Sequence, residues 1–480
     1  MKPVVVDILN WSDWAVLFYF LAINTSYAAL ILLAAAEFYR RAETASYAGR
    51  EDDLVNPFTP GVTVIMPAYN EVAVIVPAVQ AMLSLRYPRL EVVVVLDGSK
   101  DNTFGVLEEA FGLVEVPRLI PSDIPTREAP KAVFVPRGGG PLVVVLKDNS
   151  GRADSLNVGV NLATMDLVCF VDADSILDSE ALLNVVKPFV DDPERVVATG
   201  GVIRAVNGCA VVDGRVVRVG MPRGWIARIQ VVEYLRAFLL GRTGWSKIGS
   251  LLIISGAFGM FRREVMLEVG GLDPSCIGED AELVSRLHRY LRDNKRSYRI
   301  VFVSEPVSWT EVPATLKVLA RQRRRWARGL LEVLWRHRVM LFNPRYGRIG
   351  LLAFPWFLLF ELAAPFIEVL GLPLVVLGLA FGVVNVYFAV LFAVAAFGYG
   401  LALSLASLAI EELSFHRYPD WRDLRAAGVA ALIENFWYRQ LSALWGLQGI
   451  FAALRRQQAV WGEMTRSGFG PEPTRAEPAR

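Results

Sequence analysis

The apolar residues of this 480-residue chain are concentrated in three stretches. Residues 14–36 form a 23-residue run without a charge, which is long enough to cross a hydrocarbon core of about 30 Å. Residues 349–410 carry two charges in 62 positions and predict two long tilted helices or three short ones. Residues 426–454 are either a further crossing or an interfacial helix. The pattern predicts a multi-pass membrane protein.

The residues after the first apolar stretch predict its orientation. The stretch has no basic segment before it and no small-x-small cleavage site after it, so we expect a retained anchor rather than a signal peptide. Arg40 and Arg41 follow it directly. Because basic residues favour the cytoplasmic side, the domain that follows is expected in the cytoplasm.

Between the first two apolar stretches, short β-branched runs alternate with helical periodicity. The predicted strands are Val62–Met66, Glu91–Leu96, Leu142–Leu146, Leu167–Val171 and Val197–Ile203. The predicted helices are Val72–Leu85, Thr103–Phe111, Arg152–Thr164 and Ser179–Val190. Such alternation indicates an α/β domain with a mostly parallel sheet and helices on both faces. The proline-rich segment 114–141 is expected to be an insertion loop.

Polar motifs follow four of these strands, at the sheet edge where ligands bind in such folds. Pro67-Ala68-Tyr69-Asn70-Glu71, Asp97-Gly98-Ser99, Asn149-Ser150-Gly151-Arg152 and Asp172-Ala173-Asp174 come in this order. The last pair directly ends an apolar strand, and its carboxylates suit Mg²⁺ or Mn²⁺ beside a diphosphate. Asp97 also fits an Asx turn, and the Asp172–Asp174 pair also fits a helix cap or turn.

Two further motifs carry candidate chemistry. Gly278-Glu279-Asp280 begins a predicted helix, where acidic residues are favoured by the helix dipole in any case. Gln322, Arg325 and Trp326 have the spacing Q-x-x-R-W, which places all three on one helical face. An amphipathic helix at a lipid interface is the other interpretation of this segment.

Together these motifs resemble a processive family-2 glycosyltransferase, the group of cellulose, hyaluronan, chitin and poly-N-acetylglucosamine synthases. The resemblance covers roughly residues 60 to 470 and implies a GT-A fold. It implies that Tyr69, Glu71, Asp97 and Arg152 contact the nucleotide donor, together with a metal site at Asp172 and Asp174. It also implies that Asp280 is the general base and that Glu279, Gln322, Arg325 and Trp326 form an acceptor and diphosphate clamp.

The chain departs from the family pattern at two of these positions. Leu96 stands before Asp97 where the family usually has a second aspartate, which leaves one carboxylate for the nucleoside. Arg152 stands where the family more often has lysine; either cation pairs with a phosphate, but arginine prefers bidentate geometry.

The composition narrows the function class further. Three cysteines without paired spacing support neither a disulfide framework nor a zinc site. Residues 321–348 hold nine arginines and one acid, as expected beside anionic lipid, and no nucleic-acid motif accompanies them. The net charge of +2 is an average over a polar domain and apolar helices, so it does not distinguish between function classes.

We therefore expect five segments: an anchor (1–38), a cytoplasmic GT-A domain (39–312), an amphipathic segment (313–348), C-terminal transmembrane or interfacial helices (349–455) and a tail (456–480). Within the tail, 456–467 is expected to be either a gate or a packed segment, and 468–480 to be flexible. The expected function is metal-dependent, inverting transfer from a UDP-sugar to a growing β-linked glycan in the plasma membrane. The alternatives are single-sugar transfer to a polyprenyl phosphate and a non-catalytic membrane scaffold.

Overall fold

The computed structural model of the chain describes residues 3–45, 56–212, 214–382, 384–415 and 420–457. These residues form two compact units. The sheet unit holds the described residues of 56–222 and 253–312, and the helical unit holds those of 3–45, 223–252 and 313–457. The expected gate and flexible tail, beyond residue 457, lie outside the described residues.

The sheet unit is built on one ten-stranded sheet with the order β3-β4-β5-β2-β1-β6-β11-β8-β12-β7. Its strands are β1 (Val62–Ala68), β2 (Leu90–Asp97), β3 (Leu113–Glu115), β4 (Pro130–Pro136), β5 (Leu142–Lys147), β6 (Leu167–Val171), β7 (Ile176–Leu177), β8 (Val196–Ala205), β11 (Phe258–Arg262) and β12 (Arg299–Thr310). A separate antiparallel pair consists of β9 (Ala210–Val212) and β10 (Arg215–Arg218).

Four consecutive strands at the middle of the sheet, β5-β2-β1-β6, are parallel. Counting from the pairings, seven of the ten strands run in this direction, and β4, β7 and β11 run against it. The predicted α/β class with a mostly parallel sheet is confirmed. Parallel strands are covered by helices on both faces, and accordingly β2 is buried from Glu91 to Asp97 and β8 over its whole length.

The helices of the sheet unit are Ile75–Leu83, Thr103–Phe111, Arg152–Leu162, Ala181–Asp191, Arg263–Val269 and Glu279–Asp293. The first four agree with the predicted helices to within a few residues at their ends, and the last begins at its predicted start; Arg263–Val269 was not predicted. The helix at Thr103–Phe111 has the predicted bounds, and Gly112, in a left-handed conformation with φ of 57°, ends it. Glycine adopts this conformation without steric cost, which makes it a common residue after a helix.

The expectation of an insertion loop at 114–141 was wrong in part. The segment includes β4, which pairs antiparallel with β5, and most of β3, which pairs antiparallel with β4, so that both strands extend the sheet. The Phe134 ring packs on Phe104, with 4.7 Å between the centroids, and so anchors β4 to the neighbouring helix. Pro130 and Pro136 stand at the two ends of β4. Proline at strand ends, together with the short length of β3, hid the strand pattern in the sequence.

The helical unit contains long, interrupted helices. They run over Pro3–Ala45, Trp225–Lys247, Leu316–Arg336, Ile349–Leu362, Ala364–Ala380, Val386–Phe415 and Trp421–Leu454. Short 3₁₀ turns at Arg338–Met340 and Pro344–Tyr346 precede the fourth, and single π-helical turns interrupt several of them. Residues 223–252, which we expected in the glycosyltransferase domain, cluster with this unit.

Three helices of the described residues are long and apolar enough to cross a membrane. They are Ser12–Arg40, Ile349–Ala380 and Val386–Phe415, of 29, 32 and 30 residues. The first contains the charge-free run 14–36, and the other two divide the predicted 62-residue apolar region between them. Trp421–Leu454 is not among these helices.

Candidate active site

The carboxyl ends of β5, β2, β1 and β6 lie at one edge of the sheet because these four strands are parallel. Asp97 is the last residue of β2, and Asp172 directly follows β6. Tyr69 follows β1 and is 41% exposed. Arg152 begins the helix that follows β5. The fold thus brings the predicted donor-side residues to the same edge.

Side chains from the loop after β2 fix the loop after β1. Asn70 is left-handed, with φ of 56°, a conformation that asparagine tolerates better than most residues. Its backbone N–H donates to Ser99 Oγ at 3.1 Å, and its Oδ1 accepts from the Lys100 N–H at 2.8 Å. The Glu71 N–H donates to Thr103 Oγ1 at 3.0 Å. These bonds hold the backbone on both sides of the predicted nucleotide contacts.

Asp97 is buried, and its carboxylate is fully engaged by the loop after β5. Its Oδ1 accepts from Lys147 Nζ at 2.6 Å and from the Ser150 N–H at 3.0 Å. Its Oδ2 accepts from the Gly151 N–H at 3.0 Å. Asp97 therefore joins the end of β2 to the loop that carries Arg152. Its predicted contact with the nucleoside stays a prediction.

The sequence analysis missed Lys147 and Asp154, which complete this buried cluster. Lys147 Nζ lies 3.4 Å from Asp154 Oδ2, and neither side chain is exposed to solvent. Asp154 also accepts the Arg127 N–H at 2.7 Å and so anchors the segment before β4. The available signal was a lysine at the end of an otherwise apolar strand, because lysine is almost never fully buried without a partner.

Arg152 makes the central contacts of the candidate site. Its Nε donates to Asp172 Oδ1 at 2.8 Å, and its Nη1 donates to Glu279 Oε1 at 2.9 Å. Its Nη2 donates to the Gly256 carbonyl at 2.7 Å and lies at 2.7 Å from Asp172 Oδ1. Burial alone lowers the pKa of Arg152, but the carboxylates of Asp172 and Glu279 outweigh it and hold that pKa above its ordinary value.

Asp280 lies at the start of helix Glu279–Asp293, and both Asp280 and Arg152 bind the backbone of Gly256. Its Oδ2 accepts the Gly256 N–H at 3.0 Å, and its Oδ1 accepts the Ala281 N–H at 2.8 Å. A Cβ added to Gly256 would lie 3.2 Å from Arg152 Nη1. The glycine thus permits the close approach of the guanidinium; its predicted approach to a sugar stays a prediction.

Gln322, Arg325 and Trp326 belong to the helical unit, on helix Leu316–Arg336. Trp326 is 36% exposed, and the guanidinium carbon of Arg323 lies 4.5 Å from the centroid of its ring. Arg323, which the sequence analysis missed, is buried and donates to Glu233 at 2.6 Å. The predicted single helix is present, and the cation–π contact with Arg323 restrains the Trp326 ring.

The comparison with protein families gives a match to glycosyltransferase-like family 2 over residues 60–329, which is more than half of the chain. The chain is a family-2 glycosyltransferase. The predicted enzyme class is thereby confirmed, and with the sheet described above the family confirms the predicted GT-A domain.

Among curated relatives, this glycosyltransferase is similar to poly-β-1,6-N-acetyl-D-glucosamine synthases. The identity is 30% over 278 residues to the Staphylococcus aureus (strain COL) protein and 27% over 276 residues to that of Staphylococcus epidermidis. Each alignment covers 58% of this chain and 56% of the relative, so the chain spans about half the length of the curated relatives it matches.

Solved structures of low identity were also found. The mannosyltransferase PcManGT from Pyrobaculum calidifontis, in complex with GDP-Man and Mn²⁺, is 22% identical with a TM-score of 0.47, covering 88% of this chain and 99% of its own. Residues 1–349 of TarS from S. aureus are 17% identical with a TM-score of 0.40, covering 79% and 91%.

The two carboxylates that follow β6 fit a divalent cation. Asp172 keeps 32% of its side chain exposed, and Asp174 follows it two positions on. Among the described residues, no group of three or more His, Cys, Asp and Glu side chains is arranged to hold an ion. Mg²⁺ sites for nucleotide substrates need only one or two carboxylates, because the phosphates and water supply the other oxygens. Asp172 and Asp174 match that requirement.

We expect Lys147→Met to destabilise the sheet unit strongly. The substitution keeps the length of the side chain but leaves the carboxylates of Asp97 and Asp154 buried without their cation. Removal of one partner from a buried ion pair typically costs about 3–5 kcal/mol. The measurement is thermal unfolding of the full chain in detergent.

Lys131→Met is the matched control for this change. Lys131 pairs with Asp148 at 2.5 Å, but both side chains are more than half exposed, and such pairs contribute little to stability. Equal melting temperatures for the two variants would contradict the structural role given to Lys147.

Proposed function

We propose that this protein polymerises a sugar from a nucleotide-sugar donor, a UDP-sugar, into a β-linked polysaccharide at the cell membrane. The family gives the transfer reaction, and similarity to poly-N-acetylglucosamine synthases supports an N-acetylhexosaminyl or related hexosyl donor. The observation that carries the proposal is the arrangement around Arg152, which joins the strand-end Asp172 to the helix that bears Asp280. A carboxylate for the acceptor thus lies apart from the carboxylates for the diphosphate.

Asp280 is the general base of the proposed reaction. Each of its oxygens accepts one backbone N–H, so the carboxylate is oriented before substrate binds. It takes the proton of the acceptor hydroxyl as the oxygen attacks the anomeric carbon, and the bond from that carbon to the diphosphate breaks. A single displacement converts an α-linked donor into a β-linked product.

The donor side is formed by residues at the sheet edge. Asp172 and Asp174 would hold Mg²⁺ or Mn²⁺, and the ion would neutralise the charge that the departing nucleoside diphosphate gains. Tyr69 and Glu71 contact the nucleotide, and their loop is held by the bonds to Ser99 and Thr103. Asp97 and Arg152 shape this pocket from the loops after β2 and β5.

On the acceptor side, Gln322, Arg325, Trp326 and Glu279 form the proposed clamp. Trp326 is partly exposed, which leaves part of its ring for stacking on a sugar, and arginine suits pairing with a diphosphate. A polymerising enzyme needs such a clamp because it must hold the end of its product after each transfer.

Buried ion pairs within the helical unit support a path for the product. Arg236 pairs with Glu434 at 2.8 Å, Arg439 pairs with Glu368 at 2.7 Å, and the Tyr27 hydroxyl donates to Glu361 at 2.5 Å. Ionisable groups among apolar helices are costly and mark substrate pathways.

The proposed location is the plasma membrane, with several crossings and a cytoplasmic catalytic domain. Three helices of sufficient length and the basic residues after the first of them support this. The proposed partners are the donor, the growing glycan and the bilayer. Transfer of one sugar to a polyprenyl phosphate is the main alternative, because it needs the same sheet and base but no polymer clamp.

We expect Asp280→Asn to abolish transfer while leaving donor binding nearly unchanged. The amide keeps the shape of the side chain but cannot take up the proton, and loss of a positioned base typically costs about 10²–10⁴-fold in rate. The measurement is turnover with saturating donor, alongside calorimetric binding of the nucleoside diphosphate. Asp293→Asn, at the other end of the same helix, is the control. Retention of most of the turnover by Asp280→Asn would remove Asp280 from its role as base.

We expect transfer to require Mg²⁺ or Mn²⁺ and Asp174→Ala to weaken binding of UDP in the presence of Mn²⁺. The physical reason is that hard divalent cations are held by carboxylate oxygens. Asp166→Ala is the matched control, because Asp166 immediately precedes the same strand at its amino end. Full turnover in excess EDTA, without added metal, would reject the metal site.

We expect Trp326→Ala to shorten or abolish the polymer while UDP binding is retained, because the stacking face for the product end is lost. Arg325→Ala should also impair use of the donor, since it removes a phosphate partner. Trp335→Ala is the control, because Trp335 lies on the same helix and is 67% exposed. Size-exclusion analysis of radiolabelled product is the measurement. A wild-type product of single-sugar lipid, unchanged by Trp326→Ala, would favour the polyprenyl-phosphate alternative.

A further inference from the structure

Arg152 holds two parts of the site that belong to distant segments of the chain. Asp172 lies 20 positions after it and Glu279 lies 127 positions after it. Both carboxylates are bound by the same planar guanidinium group. A shift of either carboxylate therefore changes its hydrogen bond to Arg152. The guanidinium is therefore a rigid link between the end of β6 and the start of helix Glu279–Asp293.

On the donor side, Arg152 orients one carboxylate and leaves part of it available. Both Nε and Nη2 approach Asp172 Oδ1, at 2.8 and 2.7 Å. Among the residues that the structure describes, no side chain bonds to Oδ2 of Asp172. Carboxylates that hold metals are commonly fixed in this way by a hydrogen bond from a neighbouring residue. The bond geometry thus presents Oδ2 in one orientation.

On the acceptor side, the link reaches Asp280 through the backbone of one residue, Gly256. Arg152 Nη2 donates to the Gly256 carbonyl at 2.7 Å, and the N–H of the same glycine donates to Asp280 Oδ2 at 3.0 Å. Arg152 also binds Glu279, the residue next to the base in sequence, at 2.9 Å. Both contacts restrain the start of the helix that carries Asp280.

We propose that Arg152 is a positioning residue that fixes Asp172 and Asp280 relative to each other, so that donor and acceptor meet in a reactive arrangement. This rests on the proposed function. Arg152 keeps these contacts without touching the reacting atoms. In this chain, holding these three partners together requires arginine. A lysine side chain has one nitrogen and cannot reach Asp172, Glu279 and the Gly256 carbonyl with the fork geometry that the guanidinium provides.

The test compares Arg152→Lys with Arg286→Lys in the full chain. Arg286 is the matched control, because it also binds a carboxylate and two carbonyls, those of Glu282, Val269 and Gly271. It lies on the same helix as Asp280, but none of these partners belongs to the site. The readouts are kcat, the donor KM, the Kd for UDP with Mn²⁺, and the melting temperature.

We expect Arg152→Lys to lower kcat about 10- to 100-fold, since small misplacements of reacting groups cost rates of this order. The Kd for UDP with Mn²⁺ should change less than about threefold, because a lysine keeps the positive charge beside Asp172. Arg286→Lys should leave kcat near that of the wild type, even where the melting temperatures fall equally. A purely structural role would make kcat follow the melting temperature in both variants.

Glu279→Gln supplies an independent arm of the test. If Glu279 acts through Arg152, the double variant with Arg152→Lys should have a kcat within about threefold of Arg152→Lys alone, because coupled sites are not additive. Independent multiplication of the two losses would overturn the inference, as would a kcat for Arg152→Lys within twofold of the wild type. Absence of transfer by the wild type itself is a separate result, which would overturn the proposed function.

Discussion

The candidate site depends on the need to neutralise carboxylates that the fold has removed wholly or partly from water. Asp97 and Asp154 are paired with Lys147, and Asp172 and Glu279 are paired with Arg152. An unpaired buried charge is far more costly than a buried pair. These two cations therefore determine which backbone arrangements are stable at the sheet edge, and they place the loops after β2, β5 and β6 relative to one another. The chemistry proposed for Asp280 is a consequence of this arrangement.

Local pattern was sufficient to predict the strands at the centre of the sheet. The runs that form β1, β2, β5 and β6 are apolar and β-branched, and each ends in a polar motif, so that their existence followed from the sequence. The helix at Thr103–Phe111 was predicted with its bounds. In contrast, β3 and β4 were missed because one is three residues long and prolines stand at both ends of the other.

The contacts within the site could not be predicted in this way. Arg152 and Glu279 are 127 positions apart, and nothing in either motif shows that they form an ion pair. The sequence placed Arg152 beside a phosphate; in the structure its donors are directed at Asp172, Glu279 and the Gly256 carbonyl. The partner of Lys147 depends likewise on the register of β2 and β5, which pairs Asp97 with Lys147. Long-range pairing of this kind is a property of the folded sheet.

The proposal that the protein makes a polymer is tested most directly by the size and linkage of its product. Membranes containing the full chain would be offered radiolabelled UDP-sugars one at a time, with Mg²⁺ or Mn²⁺, and the products separated by size and digested with linkage-specific glycosidases. The account predicts that one UDP-sugar yields chains of many residues that only β-specific enzymes degrade. A product that carries a single sugar on lipid, or release of UDP without any glycan, would contradict it.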